Sequence, residues 1–159
     1  KLITSESMPS LGGVYKLAAI EQDGKLTPKL KKSDSIEKIT NPGFKTLYRI
    51  YNKNSGKAFA DVIALRGEKL PKPLVLTHET ERWKQSVLKD YEARELMVQI
   101  IDKGECVYSF PSIEQNAAYR RAEKADFWEE YKRLESPHIH KVDLSEGLYE
   151  LKQKLLLVD

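Results

Sequence analysis

Gly12 and Gly13 followed three residues later by Lys16 form a combination that can hold a phosphate. Glycine lets backbone approach a ligand closely, and a lysine on the following strand meets a phosphate as a point charge. Taken alone, the same residues fit better as a bulge at the start of a strand whose lysine snorkels past its neighbours. His138 and His140 alternate, so on a strand both imidazoles share a face, as a zinc pair requires. No third ligand stands nearby in sequence, and polar residues on a connecting strand are the simpler reading. Cys106, His78 and Glu79 assemble a nucleophile, base and acid only on paper, because no nucleophile motif surrounds Cys106. Trp83, Phe127 and Trp128 read as core or interface aromatics. Tyr48 and Tyr51 would stack nucleic-acid bases only if both faced solvent, which a hairpin flanking a core disfavours.

Charge is distributed unevenly. Residues 1–80 hold 14 Lys and Arg against 8 Asp and Glu, whereas residues 81–159 hold 13 against 16. An anionic partner is therefore steered to the first half, where Lys25, Lys29, Lys31, Lys32 and Lys38 are densest. Asp34 and Glu37 interrupt that cluster, and a solvated lysine-rich edge accounts for it without any ligand. A single cysteine excludes an internal disulfide and a multi-cysteine zinc site and makes a reducing cytoplasm the default.

These residues need elements to position them. The 159 residues, 40% hydrophobic and 32% charged, suffice for one core. No apolar run approaches membrane-spanning length, and the start at Lys1 lacks the order of a signal peptide. The absence of an initial methionine in the middle of an apolar stretch reads as a piece of a longer polypeptide. Val14–Ile20 reads as a mostly buried strand, and Thr46–Tyr51 with Ala58–Leu65 as a hairpin across Asn52–Lys57. A second hairpin is expected from Leu96–Ile101 and Cys106–Phe110, with a short strand at Leu74–Leu76. At Ser112 the period changes: a capping box with Gln115 opens one long helix, or two broken near Ala125-Asp126, over Ile113–Leu134. Ser145 caps a last helix that places Leu148, Leu151 and Leu155 inward and Lys152 and Lys154 outward. The expectation is an α+β fold, an antiparallel sheet or small sandwich or barrel over residues 13–110 followed by C-terminal helices packing on one face.

Five ordered blocks carry a resemblance. They are Pro9-Ser10-Leu11-Gly12-Gly13-Val14-Tyr15-Lys16-Leu17, Glu37-Lys38-Ile39-Thr40-Asn41-Pro42-Gly43-Phe44-Lys45, Pro111-Ser112-Ile113, Lys132-Arg133-Leu134-Glu135-Ser136-Pro137-His138 and Val142-Asp143-Leu144-Ser145. Together they resemble the C-terminal part of the nicotinate phosphoribosyltransferase family, its bacterial members most closely. His140 departs from the pattern, standing where many relatives carry tyrosine.

The resemblance implies a parent enzyme that joins nicotinate to phosphoribosyl pyrophosphate, giving nicotinate mononucleotide and pyrophosphate at the entry to NAD salvage. ATP hydrolysis is coupled through a phosphorylated histidine, with ATP and magnesium as the parent's cofactors and none bound by this piece. That histidine and the nicotinate-binding arginine lie upstream in the family's barrel, so no catalytic residue is expected here. Residues 1–12 are implied to be the tail of the barrel segment and residues 13–159 the C-terminal domain. A Gly-Thr pair that binds ribose 5′-phosphate precedes the position of Lys1 in the family. Lys1, Thr4 and Ser5 are therefore phosphate candidates by adjacency. Lys16 is the better one, because the related nicotinamide enzyme places a lysine of the corresponding strand near pyrophosphate across a dimer interface. Gly12 and Gly13 would allow close backbone approach. The expected partners are the parent's barrel domain and a second copy in a homodimer, in the cytoplasm, without membrane. Removal of the barrel would expose Leu2, Ile3 and Leu11 and favour self-association or fraying of residues 1–11. The competing readings are a basic β module contacting nucleic acid and a purely structural dimerisation domain.

Overall fold

The computed structural model describes residues 13, 15–35, 38–78, 81 and 83–157. Leu2, Ile3 and Leu11 lie outside them, and so does the expectation about their exposure. Ten strands and two α-helices follow one another: β1 (Ala19–Gln22), β2 (Lys25–Pro28), β3 (Lys45–Asn52), β4 (Ala58–Leu65), β5 (Leu74–Thr77), β6 (Gln85–Leu88), β7 (Tyr91–Glu95), β8 (Ile101–Asp102), β9 (Glu105–Cys106), α1 (Ile113–Ala125), β10 (Val142–Leu144) and α2 (Glu146–Leu157). A single 3₁₀ turn covers Glu129–Tyr131. Six strands form one sheet in the order β6-β5-β10-β4-β3-β7, while β1-β2 and β8-β9 are separate two-stranded ribbons. The α+β class and the β-then-α order are as expected.

The β3-β4 hairpin is built by its turn. Asn52 Oδ1 accepts from the backbone N–H of Asn54 at 2.9 Å, and Gly56 supplies a φ of +66°. Alternation then buries Ile50, Ala60 and Val62 with Leu74, Leu76, Leu88 and Tyr91 in one cluster. The Tyr91 hydroxyl leaves that cluster by donating to the carbonyls of Leu70 (3.1 Å) and Pro71 (2.9 Å).

All pairings of the large sheet are antiparallel except one. β10 lies between β4 and β5, parallel to β4 with Val142 beside Asp61 and Leu144 beside Ile63. A parallel pair requires a long crossover, and the stretch containing α1 supplies it. The antiparallel expectation, made for residues 13–110, therefore holds for the pairings within them, and the one parallel pairing is made by a strand that arrives after them.

Four expectations are corrected. The first strand begins at Ala19, and Tyr15–Leu17 stand exposed, because β1 has β2 as its sole strand partner and no sheet extends to cover them. The 96–110 hairpin shrinks to two residues on each side, all exposed. Of the two helices, α2 alone packs on the sheet, against β4 and β5, and α1 buries no residue. Lys152 points inward, 4% exposed, one turn after the fully buried Leu148. Its Nζ donates to Asn41 Oδ1 at 2.8 Å, so the aliphatic stem packs while the ammonium reaches a polar group beneath the helix.

α2 is pinned at its start. The Ser145 hydroxyl accepts from Leu148 N–H (3.2 Å) and donates to Glu68 Oε2 (2.7 Å), and Glu68 Oε1 accepts from Gly147 N–H (3.1 Å). Gly43 lets the chain pass close to the end of β4, since a Cβ there would stand 2.8 Å from Leu65 Cδ2 on a backbone with φ of +86°. Leu148→Ala is expected to lower the unfolding free energy by about 3 kcal/mol, the usual cost of emptying a fully buried leucine site. Urea denaturation checks this, and a loss below about 1 kcal/mol would mean that α2 contributes little to the core.

Candidate functional site

The β1-β2 ribbon turns the chain so that the segment after β2 returns beside Lys16. Lys29 N–H donates to Ala18 C=O at 2.8 Å, and Lys31 N–H donates to Thr40 Oγ1 at 3.0 Å. The result is a cleft of about 480 Å³ lined by Tyr15, Lys16, Leu17, Lys29, Leu30, Lys31 and Thr40. Among the described residues no carboxylate pairs with Lys16, Lys29 or Lys31. Three ammonium groups around one cleft favour a polyanion, and each acts as a flexible point charge rather than a fixed fork. Sequence reasoning held Lys16 apart from the 25–38 cluster, and the hairpin brings part of the two together. Gly13 is exposed with open space around it, while Lys1, Thr4, Ser5 and Gly12 lie outside the described residues. Lys25, Lys32 and Lys38 are exposed and do not line the cleft.

A second constellation was not anticipated. Counted back from the turn without interruption, Arg49 of β3 would face Ala60, but a bulge between Ile50 and Tyr51 shifts the register and sets Arg49 opposite Asp61. The pair is bidentate: Nε donates to Oδ1 at 2.9 Å and Nη2 to Oδ2 at 3.0 Å. On its other side Arg49 faces Arg94 of β7, and both guanidinium groups bind Glu123 Oε2 of α1, Arg49 through Nη1 at 3.1 Å. Two like charges side by side on a sheet repel, and the shared carboxylate removes the penalty while tethering α1 to the sheet. His140 Nε2 stands 3.3 Å from Asp61 Oδ1, a contact that becomes an ion pair when the imidazole is protonated. Burial pushes the Asp61 carboxyl up, but His140 and Arg49 outweigh it and hold it at about 2, below its ordinary 3.8.

Aromatic rings complete this region. Ala58 N–H donates to Asp126 C=O (2.9 Å) and Lys57 Nζ to Ala125 C=O (2.7 Å), which fixes the C-terminal end of α1 at the start of β4. Phe127 then lies under the Arg49 guanidinium, 4.8 Å from ring centroid to Cζ, and meets His140 edge to face at 4.9 Å. Tyr131 contacts both His140 (5.5 Å) and His138 (6.1 Å). The two histidines thus belong to an aromatic cluster. Among the described residues no group of three His, Cys, Asp or Glu is placed to hold a metal.

The other candidates disperse. Cys106 is exposed on the β8-β9 ribbon, His78 follows β5, and Glu79 lies outside the described residues. Trp83 and Trp128 are exposed rather than core, Tyr48 packs against the core, and Tyr51 is covered by Arg94 at 5.3 Å.

The family model described as Nicotinate phosphoribosyltransferase C-terminal domain matches residues 44–152, from β3 into α2. The chain belongs to that family. A nicotinate phosphoribosyltransferase of Bacillus subtilis (strain 168) is 38% identical over 156 residues, covering 97% of this chain and 32% of its own length. One from Caenorhabditis elegans is 31% identical, with 98% of this chain and 28% of the relative covered. The crystal structure of human Nicotinic Acid Phosphoribosyltransferase superposes with a TM-score of 0.67 at 22% identity over 83% of this chain and 26% of that one, which shows a shared fold. The chain spans about a third of the length of the bacterial relative. Within the family domain lie Arg49, Asp61, Glu123 and His140, whereas Lys16 and the rest of its cleft, as far as Thr40, precede the matched stretch.

Asp61→Asn is expected to destabilise the chain by about 2 kcal/mol at neutral pH, the equivalent of a depression from 3.8 to about 2. Because the folded value is the lower one, this stability is present above 3.8 and lost as pH falls through about 2. Urea unfolding of both proteins at pH 7 and again between pH 4 and about 2 checks it. A gap that stays constant across that range would remove Asp61 ionisation as its source.

Proposed function

We propose that this chain is the C-terminal portion of a nicotinate phosphoribosyltransferase, an enzyme that makes nicotinate mononucleotide from nicotinate and phosphoribosyl pyrophosphate with ATP hydrolysis in NAD salvage. The observation that carries the reading is the match of nearly the whole chain to about a third of an enzyme bearing that name. Residues 1–12 would continue the barrel and residues 13–159 form the C-terminal domain. No observation favours the nucleic-acid module.

In this reading the transfer passes through a cationic sugar, and the protein's task is to hold the phosphate groups and exclude water. Lys16, Lys29 and Lys31 would serve the pyrophosphate end of the substrate, with Lys16 reaching across the interface of a homodimer. ATP and magnesium would be held by the parent's remaining two-thirds. The setting would be the cytoplasm; no helix among the described residues is long and apolar enough to cross a membrane. Support for a covering partner comes from the segment around β8-β9. There Met97, Val98, Ile101, Val107, Phe110 and Ile113 are each more than half exposed, a density that a packed barrel would hide.

Purified chain supplied with nicotinate, phosphoribosyl pyrophosphate, ATP and magnesium is expected to form no nicotinate mononucleotide above a blank, and product would overturn the assignment of catalysis to the parent's other part. In the full-length enzyme, Lys16→Ala should lower kcat/KM for phosphoribosyl pyrophosphate by about 1 to 3 kcal/mol, the scale of one charge-assisted hydrogen bond. Unchanged kinetics would return Lys16 to a snorkelling surface residue.

A further inference from the structure

The last turns of α1, the 3₁₀ turn and the segment leading into β10 line a cleft of about 660 Å³, a size that suits a small organic ligand. Its walls carry Tyr119 together with Phe127, Tyr131, His138 and His140, and the edge-to-face contacts among the last four fix their orientations. A flat ring is the natural occupant of such a wall.

Its charges are not balanced. Glu123 is the one carboxylate in the lining, and Arg49 and Arg94 already share it. Arg49 is further committed to Asp61, and Lys132 Nζ bonds Glu129 Oε1 at 2.7 Å. Arg120 and Lys124 also line the cleft, one turn apart on the exposed face of α1, and among the described residues neither forms a salt bridge, Lys124 reaching Glu129 only through a longer-range attraction. Two cations without a bonded carboxylate beside an aromatic wall call for an anion and a ring in one molecule. A neutral ring would leave the cations unused, and a bare phosphate would leave the wall uncovered.

We propose that this cleft binds a mononucleotide, its base against Tyr131 and His138 and its phosphate at Arg120 and Lys124. The inference does not rest on the phosphoribosyl reading, because none of these residues lines the Lys16 cleft.

The test is titration of the 159-residue chain with AMP, adenosine and ribose 5-phosphate by calorimetry, with circular dichroism to confirm folding of each variant. AMP should bind at least about tenfold more tightly than either fragment, since both halves of the cleft are then engaged. Arg120→Glu combined with Lys124→Glu should weaken AMP by about tenfold or more, and His138→Ala by about threefold, while Lys89→Ala, outside both clefts, leaves the affinity within about twofold. All four side chains are exposed, so these variants keep the core intact. Absence of saturable AMP binding, ribose 5-phosphate binding as tightly as AMP, or indifference to the double variant would each overturn the proposal.

Discussion

Three residues hold this fold together. β4 and β5 are joined by a short connection but are not neighbours, and the slot between them is filled by Val142–Leu144. Without β10 the large sheet would divide into β6-β5 on one side and β4-β3-β7 on the other, each with an open edge. The same strand delivers His140 to Asp61 at one end and Ser145 to Glu68 at the other. Its place at the centre has an electrostatic cost. Asp143 is fully buried, with Lys141 Nζ at 3.0 Å as its ion-pair partner, and Lys141 also donates to Ser86 Oγ at 3.0 Å. Such a pair contributes little net stability, but removing one member would strand the other charge in the core.

The two clefts are built in different ways. At Lys16 the sequence supplies lysines on a two-stranded ribbon that shares no strand pairing with the main sheet, and long flexible side chains can follow a ligand there. At Arg49 everything is fixed by registry: one bulge sets the arginine on Asp61, its guanidinium orders Phe127, and Glu123 holds the helix that carries Arg120 and Lys124. The first arrangement suits a site completed by another part of a larger enzyme. The second is held in shape by contacts among this chain's own residues.

Local signals in the sequence were reliable where one element decided the outcome. The Asn52–Lys57 turn, the Ser112 capping box with Gln115 and the cap at Ser145 all stand as the residue types imply, whereas the helix expected as far as Leu134 stops at Ala125, with a single 3₁₀ turn at Glu129–Tyr131 beyond it. Legibility ended where two distant elements had to agree. Val142–Leu144 is too short to show a period, so its insertion between β4 and β5 had no local signature. The Arg49–Asp61 pair depends on a bulge that changes the count by one, and alternation alone cannot reveal it. Tyr15 and Leu17 are apolar without being in a sheet, because hydrophobicity reports a tendency to be covered and does not name the cover. Lys152 was misplaced because its charge argued for solvent while its spacing from Leu148 argued for the core, and the long stem satisfied both.

The late arrival of β10 also orders events in time. The β3-β4 and β5-β6 pairs can form as soon as they are made, since each joins consecutive strands, and β7 can then reach β3 before β10 exists. The slot between β4 and β5 must then wait for a segment more than seventy-five residues downstream of β4. Until that segment emerges, two half-sheets with unpaired inner edges coexist on one chain, and those edges are open to a neighbouring molecule. The strand that completes the sheet is therefore also the one whose delay governs how long the nascent protein is exposed to misassembly.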